Sequence, residues 1–148
     1  MQSALPSVPA TEPQSVSIST DPSKLDVPWI CASIRGSYWG ETYCDAQLRA
    51  ALAKSLVFGA YQDGRQIGFV RLVTDHNIFS SVTDVFVDEA RRGKGVGSAL
   101  MEAVVEHESV KGTYCILRAR PAAWLWYFRV ADFHVMDRVH GILQRMPR

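Results

Sequence analysis

Apolar residues follow two different periods along this chain, and the switches between them separate predicted strands from predicted helices. Val and Ile alternate with serine over residues 15–19, which favours a short strand. Two longer apolar runs cover residues 56–61 and 67–74, and the Asp-Gly pair between them is a strong hairpin signal. Two antiparallel strands are therefore predicted before the next apolar run, at residues 82–87.

That run has the two-residue period of a strand. One predicted face carries Thr83, Val85 and Val87, and the other carries Val82, Asp84 and Phe86. A carboxylate is thus expected within an otherwise apolar strand.

A helical period follows, with apolar residues repeating every three or four positions between Val96 and His107. Further helices are predicted at residues 27–34, at residues 45–54 and from Pro121 onward, and further strands at residues 113–117 and 133–139. The order is strand, two helices, three strands, helix, strand, helix, strand. Because hairpins link the middle strands, this order predicts an α/β sandwich rather than a doubly wound sheet.

Composition limits the organisation and the partners of the chain. Its 148 residues suit a single domain, predicted over residues 15–148. Residues 1–14 hold three prolines and only one charged side chain, which predicts a flexible N-terminal arm. A net charge of +1 gives no support to a nucleic-acid or membrane partner. The apolar runs are too short for a membrane span, and the N-terminus lacks the pattern of a signal peptide.

Cysteine and histidine spacing argues against metal binding and against a disulfide framework. The three cysteines show no Cys-x-x-Cys spacing, and the four histidines are too far apart for a local metal motif. We therefore expect no metal and a reducing, cytoplasmic location.

The turn after residue 87 carries the most specific chemistry. Arg92, Gly93, Lys94, Gly95, Val96 and Gly97 form the pattern Arg-x-x-Gly-x-Gly between a strand and a helix. Glycines allow successive backbone N–H groups to converge on phosphate oxygens, and the helix directs its positive dipole end to the same place. The spacing differs from that of the nucleoside triphosphate loop and of the dinucleotide-binding fingerprint. It predicts a cradle for a small phosphate-bearing molecule.

This loop resembles motif A of the GNAT acyltransferases. Further segments that resemble small, single-domain bacterial GNAT acetyltransferases lie at residues 18–27, 37–39, 55–59, 68–75 and 84–87, so that the likeness spans residues 18–107. The resemblance implies a GNAT-type mixed, largely antiparallel central sheet flanked by helices. It also implies acetyl-coenzyme A as the acetyl donor and an amine as the acceptor, either of a small molecule or of a protein.

Carried onto matching positions, the resemblance assigns cofactor contacts. Backbone groups near Phe86 and Val87 would hold the pantetheine arm, on a strand that splays from its neighbour. The pyrophosphate would lie against Arg92, Gly93, Lys94, Gly95, Val96, Gly97 and Ser98. Arg91 would contact the adenosine-side phosphate, and its alternative role is that of a solvated charge.

Acetyl transfer to an amine needs a base and an acid, and the acceptor needs a binding surface. Asp84 is the candidate base, with a structural aspartate as the alternative. Tyr38 and Trp39 are candidates for the acceptor wall, with core or lid packing as the alternative. Thr74 and Asp75 could also bind the acceptor, although a turn role is favoured.

The last third of the chain departs from the family pattern. Related final helices carry Leu-Tyr and then Gly-Phe, and that tyrosine is the usual acid. Here one alignment places Trp126 at the tyrosine position and another places Phe128 there. Tyr127 is the candidate acid, but a shift of one helical position rotates a side chain by about 100°, so aromatic packing is its alternative role. The loss of similarity after residue 117 also leaves open a reading-frame change in the gene.

The predicted function is therefore an acetyl-coenzyme A-dependent N-acetyltransferase. A non-catalytic acyl-coenzyme A binding or regulatory module is the alternative, and a nucleotide-binding protein ranks lowest. Pairing of an exposed sheet edge would give a homodimer, by analogy.

Overall fold

The computed structural model describes residues 15–147, so the arm predicted for residues 1–14 lies outside the described residues. The strands are β1 (Ser17–Ser19), β2 (Leu56–Gln62), β3 (Arg65–Thr74), β4 (Phe79–Val87), β5 (Tyr114–Arg118), β6 (His134–Asp137) and β7 (Ile142–Arg145). The helices are α1 (Val27–Arg35), α2 (Asp45–Ala53), α3 (Val96–Glu106), α4 (Glu108–Lys111) and α5 (Pro121–Ala131), with 3-10 turns at Pro22–Lys24 and Glu89–Arg91. No helix within this range is long and apolar enough to cross a membrane.

Across residues 15–147 the strands form one sheet in the order β1-β2-β3-β4-β5-β7-β6. Only the β4–β5 pair is parallel. This mixed, largely antiparallel sheet flanked by helices confirms the predicted fold. The strand expected at residues 133–139 is present as β6, but it ends at Asp137. A turn that closes at Gly141, with a φ of +65°, then leads into β7, a strand that was not predicted.

The β2–β3 hairpin follows directly from its turn residues. Asp63 and Gly64 have φ values of +53° and +72°. Positive φ at both central positions is typical of a type I′ turn, which matches the twist of the paired strands. The hairpin expected from the Asp-Gly pair is confirmed.

The predicted alternation on β4 is corrected by a β-bulge. Arg71 pairs with Asp84 and Leu72 pairs with Val82, which leaves Thr83 as the extra residue. An extra residue in one strand moves the side chains beyond it to the opposite face of the sheet. Val82 therefore shares the main core with Val85 and Val87, and it does not share a face with Asp84 and Phe86 as the alternation predicted.

The two faces of the sheet bury separate cores. On one face, α3 contributes Leu100, Met101 and Val104, and α5 contributes Tyr127. On the other, Ile30 and Ile34 of α1 and Leu48 and Leu52 of α2 pack near Phe69. The helices of each core consequently border the sheet from opposite sides.

The sheet opens between β4 and β5. Their pairing runs from Phe79 opposite Tyr114 to Val82 opposite Leu117 and ends there. Residues 84–87 pair with β3 on one side only, within the described part of the chain. The second half of β4 therefore borders a gap, which is where the candidate site lies.

Candidate active site

The cradle at the start of α3 is built by glycine conformations. Gly93 and Gly95 have φ values of +73° and +85°, which side-chain-bearing L residues rarely adopt. Gly95 is the N-cap of α3, and within the described residues no side chain caps this end. The first N–H groups of a helix have no partner inside it, so those of α3 are available to an anion.

Basic side chains surround the same loop. The Arg92 Nε donates to the Val87 carbonyl at 2.9 Å, and its guanidinium lies 5.4 Å from the centre of the Phe86 ring. Arg91 donates to the Gln62 side chain, and the Lys94 ammonium lies 3.4 Å from the Ala90 carbonyl. Arg92 thus sits where the open edge of β4 meets the cradle.

These groups line a cavity of about 640 Å³. Its walls are formed by Gly36, Ser37, Tyr38, Trp39, Val85, Phe86, Val87, Arg91, Arg92, Gly93, Gly95, Val96, Gly97, Ser98 and Trp126. Every residue of the predicted cofactor site except Lys94 is in this lining. Below we call it the first cavity.

Trp126 closes the first cavity from the side of α5. A Cβ atom added to Gly97 would lie 3.1 Å from the Trp126 Cζ2 atom, so the small residue at 97 permits the close approach. Of the aromatic residues in the divergent helix, Trp126 is therefore the one that faces the cradle. Tyr127, one position further, faces a second cavity.

The second cavity has a volume of about 1040 Å³ and shares Tyr38, Trp39 and Val85 with the first. Its other walls are Tyr43, Arg71, Val82, Thr83, Asp84, Leu117, Arg118, Ala119, Arg120, Pro121, Ala122, Ala123, Trp124, Tyr127, Arg138, Val139, His140 and Gly141. The structure thus brings together the candidate base, the candidate acid and the candidate acceptor wall.

Asp84 is 5% exposed and accepts hydrogen bonds from several side chains. The Arg71 Nε donates to Oδ2 at 2.6 Å, and the Trp39 Nε1 donates to Oδ1 at 2.8 Å. Arg71 also donates to the Ser55 hydroxyl at 3.0 Å. The carboxylate is therefore fixed in the cavity wall by an ion pair and an indole donor.

Tyr127 is nearly buried, at 9% exposure. Its ring makes edge contacts with Trp126 and Phe133. Burial raises the pKa of the Tyr127 hydroxyl to about 12, with a smaller contribution from Tyr38. The phenol therefore keeps its proton throughout the neutral range.

Tyr38 and Trp39 stand between the two cavities. Their rings meet edge to face at a centroid distance of 5.0 Å. The Arg120 guanidinium lies 3.4 Å from the centre of the Tyr38 ring, so a cation stacks on this wall.

Thr74 and Asp75 lie in the β3–β4 turn. The Thr74 hydroxyl donates to the Phe79 carbonyl at 3.1 Å, and Asp75 Oδ1 accepts from the backbone N–H groups of Asn77, Ile78 and Phe79. Neither is among the described residues that line the two cavities. Their contacts support the turn role, and we do not assign them to the acceptor.

Sequence reasoning missed Arg71, Ser55, Arg120 and the orientation of Trp126. The available signal was a lone arginine in the apolar run at residues 67–74 and a lone aspartate in the apolar run at residues 82–87. Opposite charges inside two strands of one hairpin indicate a cross-strand pair. The bulge at Thr83 hid the register that joins them.

Comparison with known proteins identifies the class to which this fold and site belong. A family model described as an acetyltransferase (GNAT) domain matches residues 53–131, more than half of the chain. The protein therefore belongs to the GNAT acetyltransferase family, as the sequence resemblance predicted.

Individual relatives support this membership. The chain is 30% identical over 110 residues to a candidate acetyltransferase of Gibberella zeae, a region that covers 60% of this chain and 62% of the fungal protein. A GNAT-family candidate acetyltransferase from Xanthomonas campestris pv. campestris superimposes with a TM-score of 0.72 and 29% identity, covering 86% of this chain and 97% of the other. The PaiA N-acetyltransferase of Thermoplasma acidophilum, solved in complex with coenzyme A, superimposes with a TM-score of 0.64 and 16% identity, covering 89% and 99%; at this identity the likeness concerns the fold.

Proposed function

We propose that this protein is an N-acetyltransferase that transfers the acetyl group of acetyl-coenzyme A directly to an amine within a ternary complex. One observation carries the proposal: the first cavity, with its glycine cradle, opens beside a second cavity that holds Asp84 and Tyr127. The coenzyme A complex of the PaiA relative adds support at the level of the fold.

The residues of the first cavity suit a coenzyme A molecule. The N–H groups at the start of α3, together with Arg92 and Lys94, would hold the pyrophosphate. Backbone groups of Phe86 and Val87, on the unpaired edge of β4, would hold the pantetheine. When bound, acetyl-coenzyme A supplies an acetyl group activated as a thioester.

Asp84 and Tyr127 would divide the proton transfers between them. The Asp84 carboxylate would take a proton from the acceptor amine, directly or through water, and so keep the attacking nitrogen neutral. The Tyr127 hydroxyl would give a proton to the departing sulfur, and its pKa of about 12 keeps that proton available.

The buried thiols Cys31 and Cys115 and the exposed thiol Cys44 are free, which supports a reducing, cytoplasmic setting.

A non-catalytic acyl-coenzyme A binding module is the second candidate function. Two observations favour it: an indole, Trp126, faces the cradle, and the Asp84 carboxylate is already engaged by Arg71. This alternative predicts tight binding of coenzyme A without amine-dependent release of a free thiol.

Calorimetric titration with coenzyme A tests the cofactor assignment. Arg92→Glu should weaken binding about tenfold or more, because it replaces a cation beside the pyrophosphate by an anion. Lys54→Glu makes the same charge change at the exposed end of α2, away from both cavities, and should leave the affinity near that of the wild type. Equal affinity of the wild type and Arg92→Glu would remove the loop from the cofactor site.

A further inference from the structure

The second cavity carries a strong excess of positive charge. Among its described lining residues the arginines are Arg71, Arg118, Arg120 and Arg138, and Asp84 is the only carboxylate. Arg71 and Asp84 neutralise one another in a salt bridge of 2.6 Å. The charge that remains comes from Arg118, Arg120 and Arg138, which we call the arginine cluster.

Three separate elements bring the arginine cluster together. Arg118 ends β5, Arg120 is the N-cap of α5, and Arg138 lies in the turn between β6 and β7. The Ala119 N–H donates to the Gly141 carbonyl at 2.9 Å, which ties the β6–β7 turn to the chain between the first two arginines. The proximity is thus a product of the fold rather than of sequence spacing.

Among the described residues, the contacts of the arginine cluster are with a carbonyl and a ring rather than with carboxylates. Arg118 lies 3.4 Å from the His140 carbonyl, and Arg120 covers the Tyr38 ring. The carboxylate of Asp137, the residue before Arg138, accepts from the His140 ring at 2.7 Å. Within residues 15–147, no carboxylate lies within 4.0 Å of a nitrogen of these three arginines.

The remaining walls of the second cavity are mainly aliphatic and aromatic. They include the rings of Tyr38, Trp39, Tyr43, Trp124 and Tyr127. Such walls favour an apolar or aromatic body, while guanidinium groups favour a planar anion that can accept two parallel hydrogen bonds.

We propose that the acceptor is a primary amine that also carries a carboxylate, on an apolar or aromatic body. Asp84 adjoins Val85, which both cavities share, whereas Arg118 and Arg138 line only the second cavity. The amine would therefore face Asp84 and the thioester, and the carboxylate would face the arginine cluster. This inference rests on the proposed acetyltransfer.

Matched amine pairs test the inference. Phenylalanine and phenethylamine, and tryptophan and tryptamine, differ only in the carboxylate. Release of free thiol from acetyl-coenzyme A gives kcat/KM for each amine, and calorimetry in the presence of coenzyme A gives its affinity. We expect the carboxylate-bearing member of each pair to be preferred about tenfold or more, the scale of one charge-assisted hydrogen bond.

Two variants connect that preference to the cluster. Arg120→Gln and Arg138→Gln should each lower kcat/KM for the amino acids about fivefold or more and change it little for the decarboxylated amines. Because Arg120 also contacts Tyr38, Arg138→Gln provides the test that is free of this packing effect. Arg129→Gln alters an exposed arginine of α5 that lines neither cavity, and it should keep the wild-type preference.

Each result separates the inference from the proposed function. Equal kcat/KM within the pairs, or a preference that Arg138→Gln leaves intact, overturns the inference while acetyltransfer stands. Binding of the amino acids that Arg138→Gln abolishes, without any thiol release, supports the inference and overturns acetyltransfer. Turnover of the decarboxylated amines alone, or failure of both amino acids to bind, overturns the inference.

Discussion

The Asp84 carboxylate is held from two sides by residues of different elements. Arg71 reaches it across the β3–β4 pair, and Trp39 reaches it from the segment between α1 and α2. A buried carboxylate with such partners has a fixed orientation, which a base that serves one amine position requires. The same contacts make the surrounding structure sensitive to loss of either donor.

Removal of the Trp39 N–H group should destabilise the protein more than the same change at Trp124. Trp39→Phe deletes a hydrogen bond to a charged oxygen and should lower the free energy of unfolding by about 1.5–3 kcal/mol. Trp124→Phe deletes a bond of 2.9 Å to the Ala119 carbonyl and should cost about 0.5–1.5 kcal/mol. Urea denaturation measures both, and an equal or reversed order would contradict the role of Trp39 as a support of Asp84.

Trp126 and Tyr127 show how one helical step assigns different surroundings to adjacent aromatic residues. The Trp126 ring lies against Gly97 at the cradle, and Tyr127 lines the cavity of Asp84. Loss of the Trp126 indole should therefore affect cofactor binding, and loss of the Tyr127 hydroxyl should affect the chemical step.

Tyr127→Phe should lower kcat for thiol release about a hundredfold, as expected for the loss of a general acid, with little change in coenzyme A affinity. Trp126→Phe should change coenzyme A affinity and leave kcat closer to that of the wild type. Because the pKa of Tyr127 is about 12, its ionisation should not reduce the rate until the pH approaches that value. An unchanged kcat in Tyr127→Phe would exclude this residue as the acid.

At the scale of elements, β4 and α3 form the working unit of the site. The bulge at Thr83 turns Asp84 and Phe86 to one face, and the end of pairing with β5 leaves the following edge open. The loop then reverses at Gly93 and Gly95 so that α3 starts at the head of this edge. The open edge of β4 and the N-terminus of α3 therefore border the first cavity.

Two glycines with similar left-handed backbone conformations allow an effect on stability to be distinguished from an effect on cofactor binding. Gly95 and Gly64 both have positive φ, and a Cβ added to either would have no heavy atom within 4 Å. Gly95→Ala and Gly64→Ala should each lower the free energy of unfolding by about 1–2 kcal/mol. Only Gly95→Ala should weaken coenzyme A binding, because only it displaces the N-terminus of α3; calorimetry that finds equal losses would contradict the cradle.

Local signals predicted the parts of the fold that local chemistry determines. The type I′ turn at Asp63 and Gly64 and the glycine loop before α3 were visible in the sequence, because each needs particular residues at particular positions. The bulge at Thr83, the strand β7 and the arginine cluster were not, because long-range pairing creates them. Arg118 and Arg138 become neighbours only when β7 pairs with both β5 and β6.

At the scale of the whole molecule, the site takes residues from both sides of the sheet. The core beneath α3 and α5 supplies Tyr127 and Trp126, and the segment after α1 supplies Tyr38 and Trp39. The opening between β4 and β5 lets the two sides meet around one space. Of these four aromatic residues Tyr127 is the buried one, so global stability and the site both depend on it.

Stability should fall at alkaline pH because buried acids resist ionisation. Burial raises the pKa of the Cys115 thiol from 9.0 to about 12 and that of the Tyr127 hydroxyl from 10.0 to about 12. Both groups ionise more readily in the unfolded chain, so the free energy of unfolding is unaffected below pH 9 and decreases as the pH rises toward 12.

Denaturant unfolding at pH values from about 8 to 11.5 measures this decrease in the free energy of unfolding. Tyr127→Phe lacks one of the two groups and should lose part of the decline above pH 10, where the full displacement of its pKa corresponds to about 2–3 kcal/mol. Parallel pH curves for the wild type and Tyr127→Phe would contradict the burial of an un-ionised phenol.

Acetyltransfer is tested most directly by incubating the full chain with acetyl-coenzyme A and a panel of amines. Mass spectrometry identifies the products, and a thiol assay quantifies the coenzyme A released. We expect thiol release to depend on the amine and to equal the amount of N-acetylated product, and we expect Tyr127→Phe to slow both equally. If coenzyme A binds but no amine is acetylated, whether or not the amine carries a carboxylate, the proposed acetyltransfer is contradicted.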